Sequence, residues 1–457
     1  MRRHACLRGN PPFAAASLVA GMRSAKRSRP AAAQPPRTRS AAAAPTIYNV
    51  FLCVLEYLSA SDMCTMRFVN KWFREAVDER ARCRTAVLRR VLDREHVHPV
   101  KLLAFPIQRA PNLPRVLSVS AAWPCVTKID LCDSNITEVP PGIRHLINLT
   151  HLVLSSNPIR ELPDAAWTMP ALKQLDLAST MLTELHIATW RMPVLEILSL
   201  FNSRVTDLHD ENWSMPALRE LHLDYNNRLT ELHVGTWNMP ALGKLYLSNN
   251  QLTNIHDENW AMPALGYLGL HNNQFAELHV STWAMPSLRE LCLSDNQLTS
   301  LHNEKWSMPA LRALYLGHNN LVALSVSTWT MPALQYLDIQ NNQLHDLSDE
   351  NWSMPALSAI HLDNNHITEL HVATWTMPLL YTLSLGRNQI VDLHDISWTA
   401  PSLYNLTVAS NPHIELHFTA WSMPRLHDLH LSEDQLAQFR HIHQALPRLE
   451  HIHIARD

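Results

Sequence analysis

The chain has 457 residues, of which 46% are hydrophobic and 17% charged, a composition typical of a folded protein and not of a disordered one. Its formal net charge of -3 conceals an asymmetry: residues 1–45 have nine basic and no acidic side chains, whereas residues 126–457 have seventeen basic and thirty-four acidic ones. An acidic bulk argues against nucleic-acid binding, and no apolar run reaches the length of a membrane span. Seven cysteines without paired spacing indicate a reducing compartment, so we expect an intracellular protein, cytoplasmic or nuclear.

The first segment, residues 1–45, is basic and rich in Ala, Pro and Arg. This composition predicts a disordered tail. Two alternatives remain open on the same residues: a weak signal sequence over Phe13 to Met22, or a mitochondrial transit peptide.

Residues 46–90 are predicted to form a helical module. Apolar residues recur at helical spacing in its first part, at Val50, Phe51, Val54, Leu55 and Leu58. Ser61-Asp62 then offers an N-cap for a second helix that contains Val69, Trp72 and Phe73.

This module resembles the F-box, whose pattern ends in Val-Ser-Lys-x-Trp-Arg. Here the ending reads Val69-Asn70-Lys71-Trp72-Phe73-Arg74, and Thr46-Ile47 stand where the family has Leu-Pro. The resemblance implies docking on the Skp-type adaptor of a cullin-based ubiquitin ligase, through the eight apolar residues Val50, Phe51, Val54, Leu55, Leu58, Val69, Trp72 and Phe73. The alternative is a helical cap over the open apolar edge of the segment that follows. Residues 91–125 are predicted to be a linker and N-terminal cap.

Residues 126–457 are internally repetitive. Tryptophans recur every 23 residues from Trp167 to Trp421, with one interval of 24 between Trp213 and Trp237, and such a period predicts a solenoid. Ahead of each Trp runs Leu-x-x-Leu-x-Leu-x-x-Asn-x-Leu, in which Leu-x-Leu predicts a short strand. The Asn amide can donate to and accept from backbone groups left unpaired where the strand ends. Thr180, Ser203 and Asp434 are expected to replace this Asn near the ends.

These motifs resemble the leucine-rich repeat family. The resemblance implies an α/β fold, a leucine-rich repeat solenoid of about fifteen coils with parallel β-strands on its concave face. The limb that returns to the next strand reads Leu-His-x-x-x-Trp-x-Met-Pro here. We expect its Trp to fill the core, worth about 2–3 kcal/mol when buried, and its Pro to be tolerated because this limb forms no strand ladder.

The return limbs contain two further rows of polar residues. Every second limb is acidic, as at Asp210-Glu211, Asp257-Glu258 and Asp349-Glu350, which favours a solvated face over a metal site. A histidine ladder is predicted at His186, His209, His233, His256, His279, His302, His371, His394 and His417. A linear ladder does not offer the tetrahedral convergence that zinc needs, so neither a metal nor a cofactor is expected.

Partner recognition is expected on the concave face. The position between the two strand leucines scarcely repeats itself, although the loops are near copies of one another. Tyrosines of the kind that anchor interfaces lie there beside polar residues, so the candidate site comprises His222, Asp224, Tyr246, Tyr267, His271, Tyr315, Tyr336, Asp338, His361 and Asp363. Its acidic members predict a basic protein partner.

Together these patterns predict a non-enzymatic protein-interaction module. Ser, His and Asp come in repeated rows and not as one convergent set, so catalysis is not expected. The favoured function is a substrate receptor of a Skp-cullin-F-box type ubiquitin ligase. The alternative is a leucine-rich repeat binding scaffold whose helical head is only a cap.

Overall fold

The computed structural model describes residues 127–455, with gaps at 140–142, 144–145, 163–166, 186–189, 207, 209–212, 233–236, 256–259, 279, 281–282, 302–305, 325, 327–328, 346, 348–351, 371–374, 392–398, 415–421, 437–445 and 447. The predicted tail, F-box-like module and linker therefore lie outside the described residues. Most of the gaps fall in the return limbs, and they include the predicted histidine ladder and the acidic pairs.

Short parallel strands, one from each coil, form the framework. The main sheet has fifteen strands, each paired with the strand of the next coil. They are β1 (Lys128–Asp130), β2 (His151–Val153), β3 (Gln174–Asp176), β4 (Ile197–Ser199), β5 (Glu220–His222), β7 (Lys244–Tyr246), β9 (Tyr267–Gly269), β10 (Glu290–Cys292), β11 (Ala313–Tyr315), β12 (Tyr336–Asp338), β13 (Ala359–His361), β14 (Thr382–Ser384), β15 (Asn405–Thr407), β16 (Asp428–Ser432) and β17 (His451–Ala455). Strands β6 (Glu231–Leu232) and β8 (Asn254–Ile255) form a separate parallel pair, and one short helix, α1 (Glu433–Leu436), follows β16.

The predicted solenoid of parallel strands is confirmed. The repeated leucines form its core, because the middle residue of each three-residue strand points inward. Leu245, Leu268 and Leu291 are paired in register from strand to strand and are fully buried. Burial of one such side chain is worth about 1.5–3 kcal/mol, and every coil contributes several.

A buried row of asparagines joins neighbouring coils. Asn319 illustrates it: its Nδ2 donates to the carbonyls of Leu293 in the preceding coil and Leu316 in its own, both at 3.0 Å. Its Oδ1 accepts the backbone N–H of Leu298 at 3.0 Å. The predicted double role of the amide is confirmed, since it satisfies backbone groups that no strand ladder reaches.

At the last asparagine position the prediction of Asp434 is wrong. Asp434 is exposed, and the neighbouring Gln435 is buried in its place. Gln435 Nε2 donates to the carbonyls of Val408 and Asn411 at 3.0 and 3.1 Å, and its Oε1 accepts the N–H of Ser432. Helix α1 shifts the chain by one residue here, and the longer side chain compensates. Near the other end, the predicted substitutes Thr180 and Ser203 both donate to the carbonyl of Leu177.

The Met-Pro-x-Leu segment of the limb is a turn into the next strand. The N–H of Leu265 donates to the carbonyl of Met262 at 3.1 Å, and the same bond recurs from coil to coil. Proline therefore occupies the second position of a β-turn, where its fixed φ is favoured. The preceding Met is buried, whereas Pro263 is exposed.

The tryptophans are buried, as predicted, but the degree of burial alternates from coil to coil. Trp213, Trp260, Trp306 and Trp352 are at most 1% exposed, whereas Trp283, Trp329 and Trp375 are only partly buried against the core. Each fully buried ring stacks on the ring of the following coil, with centroids 4.9–5.5 Å apart in the four pairs Trp213–Trp237, Trp260–Trp283, Trp306–Trp329 and Trp352–Trp375.

The backbone of the return limbs shows the same alternation. An isolated parallel bridge joins the two coils of each pair, as at Ser214↔Asn238, Ala261↔Ala284 and Ser307↔Thr330. Among the described residues no isolated bridge joins the second coil of one pair to the first coil of the next, although the strand pair β6–β8 joins the coils of Trp237 and Trp260. We call these two-coil units doublets; the structural period is therefore two coils, as the alternating limb sequences suggest.

A column of left-handed residues follows the strands. The third residue after each main-sheet strand from β1 to β15 has φ between 51° and 61°, from Asp133 to Ser410, and none of those residues is glycine. Asn and Asp tolerate this conformation, whereas Tyr225, His318 and Arg387 adopt it at a cost.

Among the described residues, no helix has the length and apolar character needed to cross a membrane.

Candidate protein-binding surface

The first and third residues of each three-residue strand lie on the opposite side from the buried middle residue, and most of them are at least partly exposed. In β7 these are Lys244 and Tyr246, both half-buried, around the buried Leu245. Repeated over the parallel sheet, the two positions form one continuous surface, which we call the strand face. Its residues differ from coil to coil, whereas the middle residue beneath them is always Leu or Ile.

The first tyrosine cluster consists of His222, Tyr246 and Tyr267. His222 and Tyr246 are paired in register, and their rings stack with centroids 4.3 Å apart and planes at 10°. The ring of Tyr267 lies 4.9 Å from that of Tyr246 at 39°. The register partner of Tyr267 is Lys244, so the two tyrosines are diagonal neighbours and not directly opposed.

Gly269 accommodates this arrangement. A Cβ atom at this position would lie 3.0 Å from the Tyr267 hydroxyl and 3.0 Å from Ser248 Oγ. The ring of Tyr267 therefore lies over the space that a side chain at position 269 would fill. Because Gly269 is the register partner of Tyr246, the glycine leaves room beside both rings.

The second tyrosine cluster repeats the tyrosine pair of the first, three coils further along, but its histidine lies in the coil after the pair and not in the coil before it. It consists of Tyr315, Tyr336 and His361, with centroids 5.2 Å apart between the tyrosines and 5.3 Å apart between Tyr336 and His361. Tyr315, like Tyr246, is the third residue of its strand, and Tyr336, like Tyr267, is the first residue of its strand. The structure thus brings together the tyrosines that the sequence predicted as pairs.

Small or buried side chains separate the two clusters. Cys292 is fully buried and lies in register between Gly269 and Tyr315. Glu290, on the same strand, is half-buried, and burial raises the pKa of its carboxyl. The two clusters are therefore aromatic projections of the surface, and the region between them is lower because its side chains are small or buried.

The predicted acidic border of the clusters is wrong. Asp224 and Asp338 are buried, and their carboxylates accept backbone N–H groups of Ser248 and Gln340 at 2.9 and 3.1 Å. Burial raises the pKa of Asp224 to about 7. These carboxyl groups stabilise the turn after the strand and are not displayed to a partner, so the expectation of a basic partner loses its basis.

Asp363 behaves similarly, since its Oδ1 accepts the N–H of Gly386 at 3.0 Å and burial raises its pKa. Burial lowers the pKa of both His222 and His271, which favours neutral rings. His271 Nδ1 lies 2.8 Å from Ser248 Oγ. His222 and His271 therefore add little positive charge to the strand face at neutral pH.

The exposed charges next to the clusters include a basic set. The residues immediately before β5, β10 and β11 are Arg219, Arg289 and Arg312, and all three are exposed. The neighbouring Glu220 is paired with Lys244 at 3.0 Å. This edge of the strand face is therefore suited to carboxylates of a partner more than to its lysines.

A third aromatic group was missed by the sequence interpretation. Tyr381, Tyr404 and His427 stack in succession, with centroids 4.9 and 4.6 Å apart and planes within 10°. Each immediately precedes a strand, and their spacing of 23 residues is a signal that the sequence contained. We call them the C-terminal aromatic row.

The predicted adaptor-binding residues from Val50 to Phe73 lie outside the described residues, as do the ladder histidines and the acidic limb pairs. Nothing in the described solenoid bears on their positions.

The fold defines a class of protein: a solenoid of repeated parallel strands whose coils are joined by a row of asparagines. Comparison with known sequences agrees with this class. The sequence model "Leucine rich repeat" matches residues 124–182 and, in overlapping matches, 193–252, 216–275, 263–321, 286–344 and 309–367, just over half of the chain. The chain belongs to the leucine-rich repeat family. No curated protein matches the sequence significantly.

The chain is also similar to parts of several solved structures, at low sequence identity. The functional domain of InlJ from Listeria monocytogenes is 22% identical over 74% of this chain and 64% of its own, slightly under two thirds of that chain, with a TM-score of 0.47. The internalin InlF of the same species is 21% identical over 66% of this chain and 87% of its own, with a TM-score of 0.44. The Toll–Spatzle complex of Drosophila is 21% identical over 64% and 42%, with a TM-score of 0.49.

Proposed function

We propose that this protein is a non-enzymatic receptor that holds a protein partner on its strand face. The observation that carries the proposal is the repetition of one aromatic arrangement, Tyr246 with Tyr267 and Tyr315 with Tyr336, at equivalent positions three coils apart. Large, rigid, polar-tipped rings dominate interface energies when a partner removes them from water.

The position of the rings supports a binding role over a structural one. The core beneath them is built from other residues, among them the fully buried middle leucines of β7 and β11. Tyr246 and Tyr315 are only half-buried, so part of each ring contacts solvent. A partner that covers both clusters would bridge the lower region around Cys292 and meet the exposed arginines at the edge.

The test begins with partners identified by proximity labelling and then compares two double variants. Tyr246→Ala with Tyr315→Ala should abolish recovery of the partner while the free energy of unfolding changes by about 1 kcal/mol per site. Ser307→Ala with Ser353→Ala is the matched control, because both serines are exposed on the limb side and should not affect recovery. Loss of the partner with the serine pair alone would place the interface on the limb side and refute the proposal.

We further propose that the partner is a substrate for ubiquitin transfer. Support comes from the sequence alone: the F-box-like ending Val69-Asn70-Lys71-Trp72-Phe73-Arg74 precedes a leucine-rich repeat array. In this proposal the head binds a Skp-type adaptor in the cytoplasm or nucleus, and the strand face presents the substrate. The competing function is a binding scaffold whose head is a cap.

Co-purification with a Skp-type adaptor separates these two functions. The wild-type chain should recover the adaptor, whereas Leu55→Asp and Phe73→Asp should not. The Tyr246→Ala, Tyr315→Ala variant is the control and should recover the adaptor as the wild type does. Equal recovery by the wild type and both Asp variants, or recovery by none, would refute the ligase function and leave the scaffold.

A further inference from the structure

The last two strands bring four histidines and two carboxylates together on the strand face. Strands β16 and β17 pair so that Asp428 lies beside His451 and His430 beside His453. His427 and Glu450 immediately precede the two strands and lie next to this group. The cluster is thus built from two adjacent coils and does not depend on the return limbs.

The distances within the cluster are short. His427 Nδ1 lies 3.1 Å from Asp428 Oδ1, and one ligand atom from each of His427, Asp428 and His451 lies within 4.8 Å of the other two. His453 Nε2 is 4.0 Å from the same Asp428 oxygen. Two imidazoles and a carboxylate therefore converge on one point, with a third imidazole beside them.

We propose that His427, Asp428 and His451 bind a divalent transition-metal ion, zinc being the best fit. Zinc takes imidazole nitrogen and carboxylate oxygen at about 2.0–2.2 Å in tetrahedral geometry, which places its ligand atoms roughly 3.3–3.5 Å apart. The His427–Asp428 separation of 3.1 Å is already close to that value, and side-chain rotation of the exposed His451 closes the remainder. Imidazole ligands favour zinc, copper or nickel over magnesium or calcium.

Glu450 supplies the outer support that such sites require. Its Oε2 lies 2.9 Å from His427 Nε2 and accepts the proton of that nitrogen. The Nδ1 lone pair is then directed toward Asp428, where the metal is placed. A carboxylate on the far nitrogen of a metal-binding histidine fixes the ring and raises its basicity as a ligand.

The position of the cluster distinguishes it from the limb histidines, for which the sequence predicted a linear ladder. Here Asp428 and His451 come from two neighbouring strands and His427 directly precedes the first of them, so the three ligands converge. Tyr404 stacks on His427 at 4.6 Å and restricts its ring further. The fourth ligand is water or His453.

The test uses the untagged full-length chain, because a histidine tag would bind the metal itself. Zinc affinity and stoichiometry are measured by competition with a chromophoric chelator, and Co²⁺ absorption reports the coordination geometry. The wild type should bind one ion that His451→Ala and Asp428→Asn both lose, with the loss of the intense bands of tetrahedral Co²⁺. Glu450→Gln should weaken binding by about 10–100-fold.

Two controls keep the result interpretable. His222→Ala and His361→Ala remove histidines of the same face and should leave the affinity and stoichiometry of the wild type. Melting curves recorded with chelator should coincide for the wild type and the His451→Ala and Asp428→Asn variants, which shows that both fold. Wild-type stoichiometry in both ligand variants, or no ion bound by the wild type, would overturn the proposal. Neither outcome bears on partner binding at the tyrosine clusters, which is measured separately.

Discussion

Trp213 and Trp237 lie face to face, with ring centroids 4.9 Å apart and planes at 9°. Trp213 belongs to an acidic limb and is fully buried, whereas Trp237 belongs to the alternate type of limb. The stack joins the two coils of a doublet, and the backbone bridge Ser214↔Asn238 lies directly beside it. The two tryptophans of a doublet are thus unequal, which leads to the first prediction.

Trp260→Ala should lower the free energy of unfolding by about 3–5 kcal/mol, because it removes a fully buried ring and leaves a cavity. Trp283→Ala should cost clearly less, since Trp283 is partly exposed and its removal opens the surface more than the core. The measurement is chemical denaturation of each variant. Equal losses from the two substitutions would show that burial does not differ between the limbs.

Asn319→Ala should cost about 2–4 kcal/mol, because it leaves two carbonyls and the N–H of Leu298 without their partner in the core. Asn320→Ala is the adjacent control. Its side chain accepts one bond from Gln343 near the surface, at 3.3 Å, so its loss should stay within about 0.5 kcal/mol. Thermal or chemical unfolding measures both, and similar losses would mean that the asparagine row adds little stability.

Asp224→Asn should change the pH dependence of stability. Burial raises the pKa of the folded carboxyl to about 7, whereas the unfolded carboxyl loses its proton near pH 4. Between these values the folded state holds the extra proton, so the wild-type free energy of unfolding falls as the pH rises. The Asp224→Asn variant has no carboxyl to deprotonate at this position. Its free energy of unfolding relative to the wild type should therefore rise by up to about 1.4 kcal/mol per pH unit from pH 5 to pH 7.

Denaturation at several pH values, from 5 to 8, provides the measurement. The advantage of the variant should level off above pH 7, where the wild-type carboxyl is ionised in both states. A constant difference across the range would mean that the folded carboxyl is ionised throughout, and the burial argument would fail.

Arg387→Gly should stabilise the protein by up to about 1 kcal/mol. Arg387 has a φ of 56°, and glycine adopts that conformation without the contact between Cβ and the backbone that costs other residues about 1–2 kcal/mol. Ser384→Gly, on strand β14, is the control and should destabilise by about 0.5–1 kcal/mol. Calorimetry of both variants gives the signs, and a loss from Arg387→Gly would show that the arginine side chain contributes more than its backbone costs.

The regular part of the fold was predictable because each coil repeats the same physical problem. A Leu-x-Leu strand needs a buried face, a turn after it needs an amide such as Asn319, and a gap between coils needs a large ring such as Trp260. These requirements are local, so they can be derived from spacing. Where the chain shifts phase by one residue, at helix α1, the same reasoning selected Asp434, although the structure buries Gln435.

The surface was less predictable because it depends on neighbours. Sequence spacing indicated that Tyr246 and Tyr267 would be close, but their diagonal placement follows from register and from the space above Gly269. The sequence predicted an exposed carboxyl at Asp224, because the group that it accepts from, the N–H of Ser248, belongs to the next coil. The cluster of His427, Asp428 and His451 likewise needs two coils to be seen.

The doublets also have a mechanical consequence. A solenoid stretched from its ends unfolds at its weakest joints, and among the described residues the joints between doublets lack the bridges beside the tryptophans that are found within them. The joint between the coils of Trp237 and Trp260 is stronger than the others, because the strand pair β6–β8 crosses it. Away from that joint, the array should release two coils at a time under force. Each release of 46 residues would lengthen the chain by up to about 150–165 Å, so single-molecule extension traces should show steps near that size and few of half of it.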